Sequence, residues 1–367
     1  INPKLSCLAD KGSCSGANRG LCCGCSKDNE CGDANTIGCG GDTCCQARPM
    51  VTETAPADGA NNVCRNSLIK ATFNQAMQIN TFNTNVIAVG EYGLSPCPAG
   101  TQYLTAIYKP TIFVRIKFWL AKIPLVNKLF ASEARALIGN YCSVTGKVSG
   151  LIKTDAVGKK TTELEFRIQK SLEANRKYYV IIKGDSDITD AVSNGVLSQS
   201  GIGLKGEGYN SLNPVIFNGL AFFNAKIWSF TTMGENEVNQ GICTIDNVKV
   251  NPNSYVFQTN KNDNRDDDPI NKETFNTIDD SDLVFSAQAY ASNGQLLTAT
   301  KEYFWEWTWK SANEGVAKVE KLAEPEPFKA IVTAQEKIVA DRTQITAKAS
   351  FSDIAKEGSA TVYVFLC

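Results

Sequence analysis

Fourteen cysteines and no histidine define what this chain can do chemically. Without histidine there is no Ser-His-Asp or Cys-His catalysis, no HExxH metalloprotease and no Cys/His zinc finger. Carboxylate-pair chemistry and all-cysteine zinc stay open. Glu163 and Glu165 share one face of a strand, since i and i+2 do. Paired carboxylates can hydrolyse glycosides, but nothing else in the sequence converges on these two. Strand-surface acids read first as a solvated face. No glycine-rich phosphate loop follows a strand and opens a helix, which leaves a nucleotide site unsupported. The cysteines therefore carry most of the chemistry. Nine lie between Cys7 and Cys45 (Cys7, Cys14, Cys22, Cys23, Cys25, Cys31, Cys39, Cys44 and Cys45). Their adjacent pairs suit disulfide knots better than tetrahedral zinc, so the protein is expected in an oxidising compartment.

The remaining five are Cys64, Cys97, Cys142, Cys243 and Cys367. Cys243 and Cys367 are the only two cysteines of residues 241–367, so they are expected to pair. By loop entropy that closure contributes roughly 4–5 kcal/mol. Cys97 and Cys142 flank an insertion and are expected to close its base, for roughly 4 kcal/mol. Nine is odd, so full pairing sends Cys64 to one of the nine N-terminal cysteines. The other reading leaves one cysteine free or paired between chains.

Two further segments could hold a ligand or partner. Asp263, Asp266, Asp267 and Asp268 lie in an acidic run rich in hard oxygen ligands, and weak calcium sites suit extracellular loops. The run does not match the EF-hand pattern, and Lys261 and Arg265 partly neutralise it, so a solvated loop is the first reading. Calcium is the one cofactor left open. Residues 108–138 form the most apolar stretch, with basic residues interleaved. Residues 125–138 fit a helix, and Pro124 interrupts the stretch. Phe113, Trp119, Leu125 and Phe130 are anchors of the kind interfaces use. They are expected to contact a neighbouring subunit or another partner. Membrane contact is the weaker reading. Lys+Arg (37) nearly cancel Asp+Glu (38), so no global field recruits nucleic acid.

The elements that position these residues are strands. Ser67–Phe73 puts Ile69, Ala71 and Phe73 on one face, and Glu163–Ile168 alternates. Tyr178–Ile182 is a continuous apolar run, and Ile227–Thr232 closes the unit. Further on, Leu283–Tyr290, the Asn293-Gly294 turn, Tyr303–Trp309, Gln344–Ser350 and Gly358–Phe365 supply a second set. Tyr303, Trp305, Trp307 and Trp309 share one face, which reads as core; stacking on sugar rings is the other reading. The expected fold is all-β: two sandwiches in tandem, at 46–234 (with a partly helical insertion at 98–141) and 241–367. A linker at 235–240 joins them, and a disulfide-rich module at 1–45 precedes them. Residue 1 has no leader-like pattern, so the chain is expected to be a mature or partial sequence.

Several motifs carry a resemblance. The Val51–Val63 segment with its Pro56-Ala-Asp-Gly59 turn leads into Ile69-Lys-Ala-Thr-Phe-Asn-Gln-Ala-Met77 and then Asn80-Thr-Phe82. Leu172–Val180 and the final Trp228-Ser-Phe-Thr-Thr232 complete the order. This resembles the bacterial Ig-like domain of S-layer and other cell-surface proteins. Residues 241–367 are similar to a second class of bacterial Ig-like repeat, and the first 45 residues resemble knottin-like modules. The resemblance implies an extracellular, non-enzymatic structural protein of a bacterial cell surface, in a layer, filament, appendage or adhesin stalk. The alternative is a module binding carbohydrate or a host surface protein through the insertion and the tryptophan stripe.

Overall fold

Alternating burial shapes the strands. In Ile69–Phe73 every second side chain (Ile69, Ala71, Phe73) is fully buried, and Lys70 and Thr72 are half-buried between them. A period of two buries one face of a sheet and wets the other. The computed structural model describes residues 37–39, 45–107, 140–154, 159–184, 195–206, 215–218, 220–259, 284–324, 326–335, 341–351 and 354–366. It is an all-β protein that divides into two compact units.

The first unit takes in the described residues of Ile1–Asn62, Lys70–Phe166 and Asn175–Thr232. It opens with a short antiparallel hairpin, β1 (Ile37–Cys39) and β2 (Cys45–Ala47). Then come β3 (Val51–Ala55), β4 (Ala60–Val63), β5 (Ile69–Phe73), β6 (Val86–Gly93) and β7 (Asn140–Ser143). They are followed by β8 (Gly146–Thr154), β9 (Lys160–Ile168), β10 (Lys177–Ile182), β11 (Val215–Phe217), β12 (Leu220–Phe222) and β13 (Lys226–Thr232). One sheet runs β3-β5-β9-β8 and the other β4-β13-β10-β6-β7. This is the immunoglobulin order, with the first strand split so that its second half joins the opposite sheet.

The β10 run Tyr178–Ile182 is apolar at every position because its sheet is covered on both sides. Tyr178 and Val180 pair with Phe230 and Trp228 and pack on one face. Ile181 packs on the other face with Ile87 and Val89 of β6, under Leu220, Phe222 and Leu104. The cover comes from the β11–β12 hairpin and from the single turn Leu104–Ile107. The chain is next described at Asn140. The expected helical part of the insertion lies outside the described residues.

The second unit takes in Val63–Ile69, Arg167–Ala174 and the described residues from Met233 onward. The first two of these segments come from stretches that sequence reading puts inside the first sandwich. Its strands are β14 (Asn247–Asn251), β15 (Ser254–Thr259), β16 (Val284–Tyr290), β17 (Leu296–Leu297), β18 (Glu306–Ser311), β19 (Ala317–Lys321), β20 (Lys329–Ala334), β21 (Asp341–Phe351) and β22 (Ile354–Leu366). The sheets run β14-β16-β20-β19, with β17 on β16, and β15-β22-β21-β18. The order repeats that of the first unit, and β15 lies parallel to β22. The turn before β17 needs the positive φ (81°) of Gly294. Gly358 lets β14 approach β22: a Cβ there would stand 2.2 Å from the Val248 carbonyl oxygen. The core holds Phe285, Trp305, Trp307, Val316, Ile345 and Val362.

Candidate functional site

Val63–Ile69 is built into the second unit by a disulfide and a set of hydrogen bonds. Cys64 forms a disulfide with Cys243, with Cα atoms 5.6 Å apart and a sequence separation of 179. Cys64 is 0% exposed and belongs to the core that includes Ile245, Leu297 and Tyr303. Hydrogen bonds reinforce the bond on both sides. The Asn66 amide donates to the Cys243 carbonyl at 2.9 Å, and the Cys243 N–H donates back to Asn66 Oδ1 at 3.0 Å. The Cys64 N–H donates to Gln295 Oε1 at 2.7 Å. Arg65 donates from its backbone to Gly241 and from its guanidinium to the Gln240 and Leu172 carbonyls. Leu68 N–H donates to Leu296 O, and Thr298 N–H donates to Asn66 O, so the segment behaves as a short extra strand beside β17.

The second inserted segment is held in a similar way. The Arg167 guanidinium lies 3.3 Å from the Phe328 ring centroid. The Ser171 N–H donates to Glu302 Oε2 at 2.8 Å, and the Ser171 and Thr300 hydroxyls are 2.9 Å apart. Burial works against the Glu302 charge. The Ser171 and Glu302 backbone N–H groups and the Ser171 and Thr300 hydroxyls outweigh it and hold the carboxyl below its usual range.

This arrangement corrects the cysteine pairing. Cys243 is joined to Cys64, not to Cys367, and Cys64 is therefore not joined to one of the N-terminal nine. The reason is the strand geometry. β14 and β15 run alongside β22 in the same direction: Val248 lies against Gly358, and Thr259 lies opposite Leu366. The eight steps from Gly358 to Leu366 span roughly 26 Å, and Cys243 lies five residues before Val248. Cys243 and the strand end at Leu366 thus sit at opposite ends of the sandwich, far beyond the roughly 4.4–6.8 Å between Cα atoms that a disulfide spans. Cys97 and Cys142 are bridged, with Cα atoms 5.4 Å apart. Cys367 itself lies outside the described residues, as do Cys7, Cys14, Cys22, Cys23, Cys25, Cys31 and Cys44. Cys39 and Cys45 are described only as backbone in β1 and β2. Parity takes a new form: full pairing would now join Cys367 to the odd N-terminal set.

A second cluster lies in the first unit at the edge of the covered sheet face. Tyr141, Tyr179 and Phe217 pack with ring centroids 4.7–5.6 Å apart. The Tyr179 hydroxyl donates to the Glu91 carboxylate at 3.2 Å. Burial, and then the Glu91 charge, push both tyrosines up to about 12. Arg176 sits 3.8 Å from the Tyr92 ring centroid and donates to the Glu91 carbonyl.

The other predicted residues fall as follows. Glu163 is held between Lys70 (2.7 Å) and Lys153 (2.8 Å), an ion triad and not an acid–base pair. Trp305 and Trp307 are buried in the second core, and Trp309 is half-buried with its Nε1 donating to the Pro327 carbonyl. The stripe is core, and its outward neighbour Phe304 is 56% exposed. A sugar would find neither Trp305 nor Trp307 on the surface. Phe113, Trp119, Leu125 and Phe130, and Asp263, Asp266, Asp267 and Asp268, lie outside the described residues. No group of three or more metal-ligating side chains occurs among the described residues. Among them also, no helix is long and apolar enough to cross a membrane.

The bacterial Ig-like domain family matches residues 46–113, which run from β2 through β6 and beyond. Among solved structures, the chain is similar to surface layer protein SbsC, domains 1–6, at 10% identity and TM-score 0.27, over 86% of this chain and 26% of that one. It is similar to SbsC domains 4–9 at 9% identity and TM-score 0.31, over 88% of this chain and 32% of that one. It is also similar to Yersinia pseudotuberculosis InvD at 9% identity and TM-score 0.21, over 87% of this chain and 57% of that one. The chain thus spans between about a quarter and a third of the SbsC structures. No curated protein matches it.

Proposed function

We propose that the protein is a non-enzymatic structural component of a bacterial cell surface, a subunit or stalk that associates with copies of itself or with other surface proteins. The observation that carries this reading is two sandwiches of one strand order with disulfides built into them, one of them buried in a core on its Cys64 side. Such a chain resists unfolding and suits an oxidising exterior. The match of residues 46–113 to the bacterial Ig-like domain supports a surface location. Burial of Trp305 and Trp307 weakens the carbohydrate-binding alternative.

Self-association would run through the insertion, with Phe113, Trp119, Leu125 and Phe130 as anchors, and through open sheet edges such as β8 and β19. Sedimentation velocity over a rising concentration series of the full chain tests this, with negative-stain microscopy of the densest sample. The expected result is concentration-dependent assembly that a deletion of residues 108–138 abolishes. A monomer at every concentration would remove the self-association reading.

A further inference from the structure

Most of the first unit is strung between two cysteines that both belong to the second. Cys64 and Cys243 are 179 residues apart along the chain, and their Cα atoms are 5.6 Å apart. Between them lie β5 to β13, nearly the whole first sandwich. Only β3 and β4 of that sandwich precede Cys64.

From this connectivity we infer that the Cys64–Cys243 disulfide is a force bypass, which carries tension past residues 65–242. A pull delivered before Cys64 and taken up after Cys243 follows the taut covalent route. That route crosses the sulfur–sulfur bond and leaves the 65–242 loop slack. Unfolding of the looped part then adds no length to the protein. Without the bond the same tension would run through the loop, and 179 residues would pay out roughly 600 Å at about 3.3–3.6 Å each.

Two features fit the bond to this task. It is shielded on one side: Cys64 is 0% exposed among core side chains, and Cys243 is half-buried against the same core. It is also backed by a parallel set of hydrogen bonds from Arg65, Asn66 and Leu68, which anchor the same segment. Cys97–Cys142 lies inside the slack loop and carries no tension while the first bond holds. The inference goes beyond the surface-structural reading and does not depend on it, because it concerns only the path of covalent bonds.

The test pulls the full chain to complete extension in an optical trap, with a non-thiol handle fused to each end. Cys367→Ser is included so that the two ends cannot be joined directly. The comparison is the same chain with Cys64→Ala and Cys243→Ala. With Cys97–Cys142 still closed, the 179-residue separation less the 45 residues it holds leaves 134, or roughly 450 Å. The parent is expected to stop short of the variant by that length. Total length at full extension is the same whether or not the variant folds, so misfolding does not blur the result. Equal lengths would overturn the bypass. A second reading comes from holding the extended parent at constant force and adding dithiothreitol. Steps totalling at least roughly 600 Å are expected, the N-terminal bridges adding their own release, and lengthening that falls hundreds of ångströms short of this would overturn the inference as well.

Discussion

Asn66 is the best single place to test how Val63–Ile69 is held in the second unit. It is 0% exposed, and its side chain makes both hydrogen bonds to the Cys243 backbone. Asn66→Ala removes both and leaves the Cys243 N–H and C=O without these partners. A buried orphan costs about 1–3 kcal/mol, and Cys243 is only half-buried, so the two together cost about 2–4 kcal/mol. The Asn66 carbonyl still accepts from Thr298, so the strand-like register is kept. Native-state hydrogen exchange read by mass spectrometry on peptides from β16 and β21 reports the opening of this unit. At 1.36 kcal/mol per tenfold, exchange there should rise by about 30- to 1,000-fold. Asn61→Ala, at an exposed position, should change nothing. Exchange of the Asn66→Ala protein within threefold of the parent would refute the assignment of Asn66 as a structural clamp.

Trp305→Ala should destabilise the second unit by about 3–5 kcal/mol in denaturant titration. Trp305→Phe should cost less than half of that, because the buried indole N–H has no partner to lose among the described residues. In an alkaline titration followed by absorbance, two tyrosines should ionise near 12 and not near 10. Since the folded-state value is raised, the stability they contribute is complete below about 10 and is lost as pH climbs through about 12. Glu302 has the opposite sign: its contribution is present above the ordinary carboxylate value of 4.5 and is lost as pH falls through the lower folded-state value. The group is largely exposed, so Glu302→Gln should cost under about 1 kcal/mol at pH 7 in chemical denaturation, and nothing at pH 2.

Much of the scaffold was legible because a strand writes its burial into the chain with a period of two. Ile69, Ala71 and Phe73 read as one face, and so did Trp305 and Trp307; all five are core. The apolar run Tyr178–Ile182 reads as a buried-type strand, and the β11–β12 hairpin that covers its second face is a finding of the structure. The clamp was not legible. Val63–Ile69 is continuous in sequence with β4 and β5, so local pattern assigns it to the first sandwich, whereas long-range hydrogen bonds to Gln295, Leu296 and Cys243 place it in the second unit. Cysteine counting failed for a related reason. Parity limits how many bridges cross between segments but knows nothing of strand direction, and the direction of β22 separates its end from Cys243. Asn66 and Gln295 left no signal at all, since a buried amide that caps another segment's backbone looks like any other polar residue.

The most direct measurement is disulfide mapping of the purified, non-reduced protein after alkylation and digestion. A peptide pair containing Cys64 and Cys243, together with one containing Cys97 and Cys142, is the predicted result. A pair joining Cys243 to Cys367, a pair joining Cys64 to the N-terminal cysteines, or an alkylated free Cys64 would contradict it.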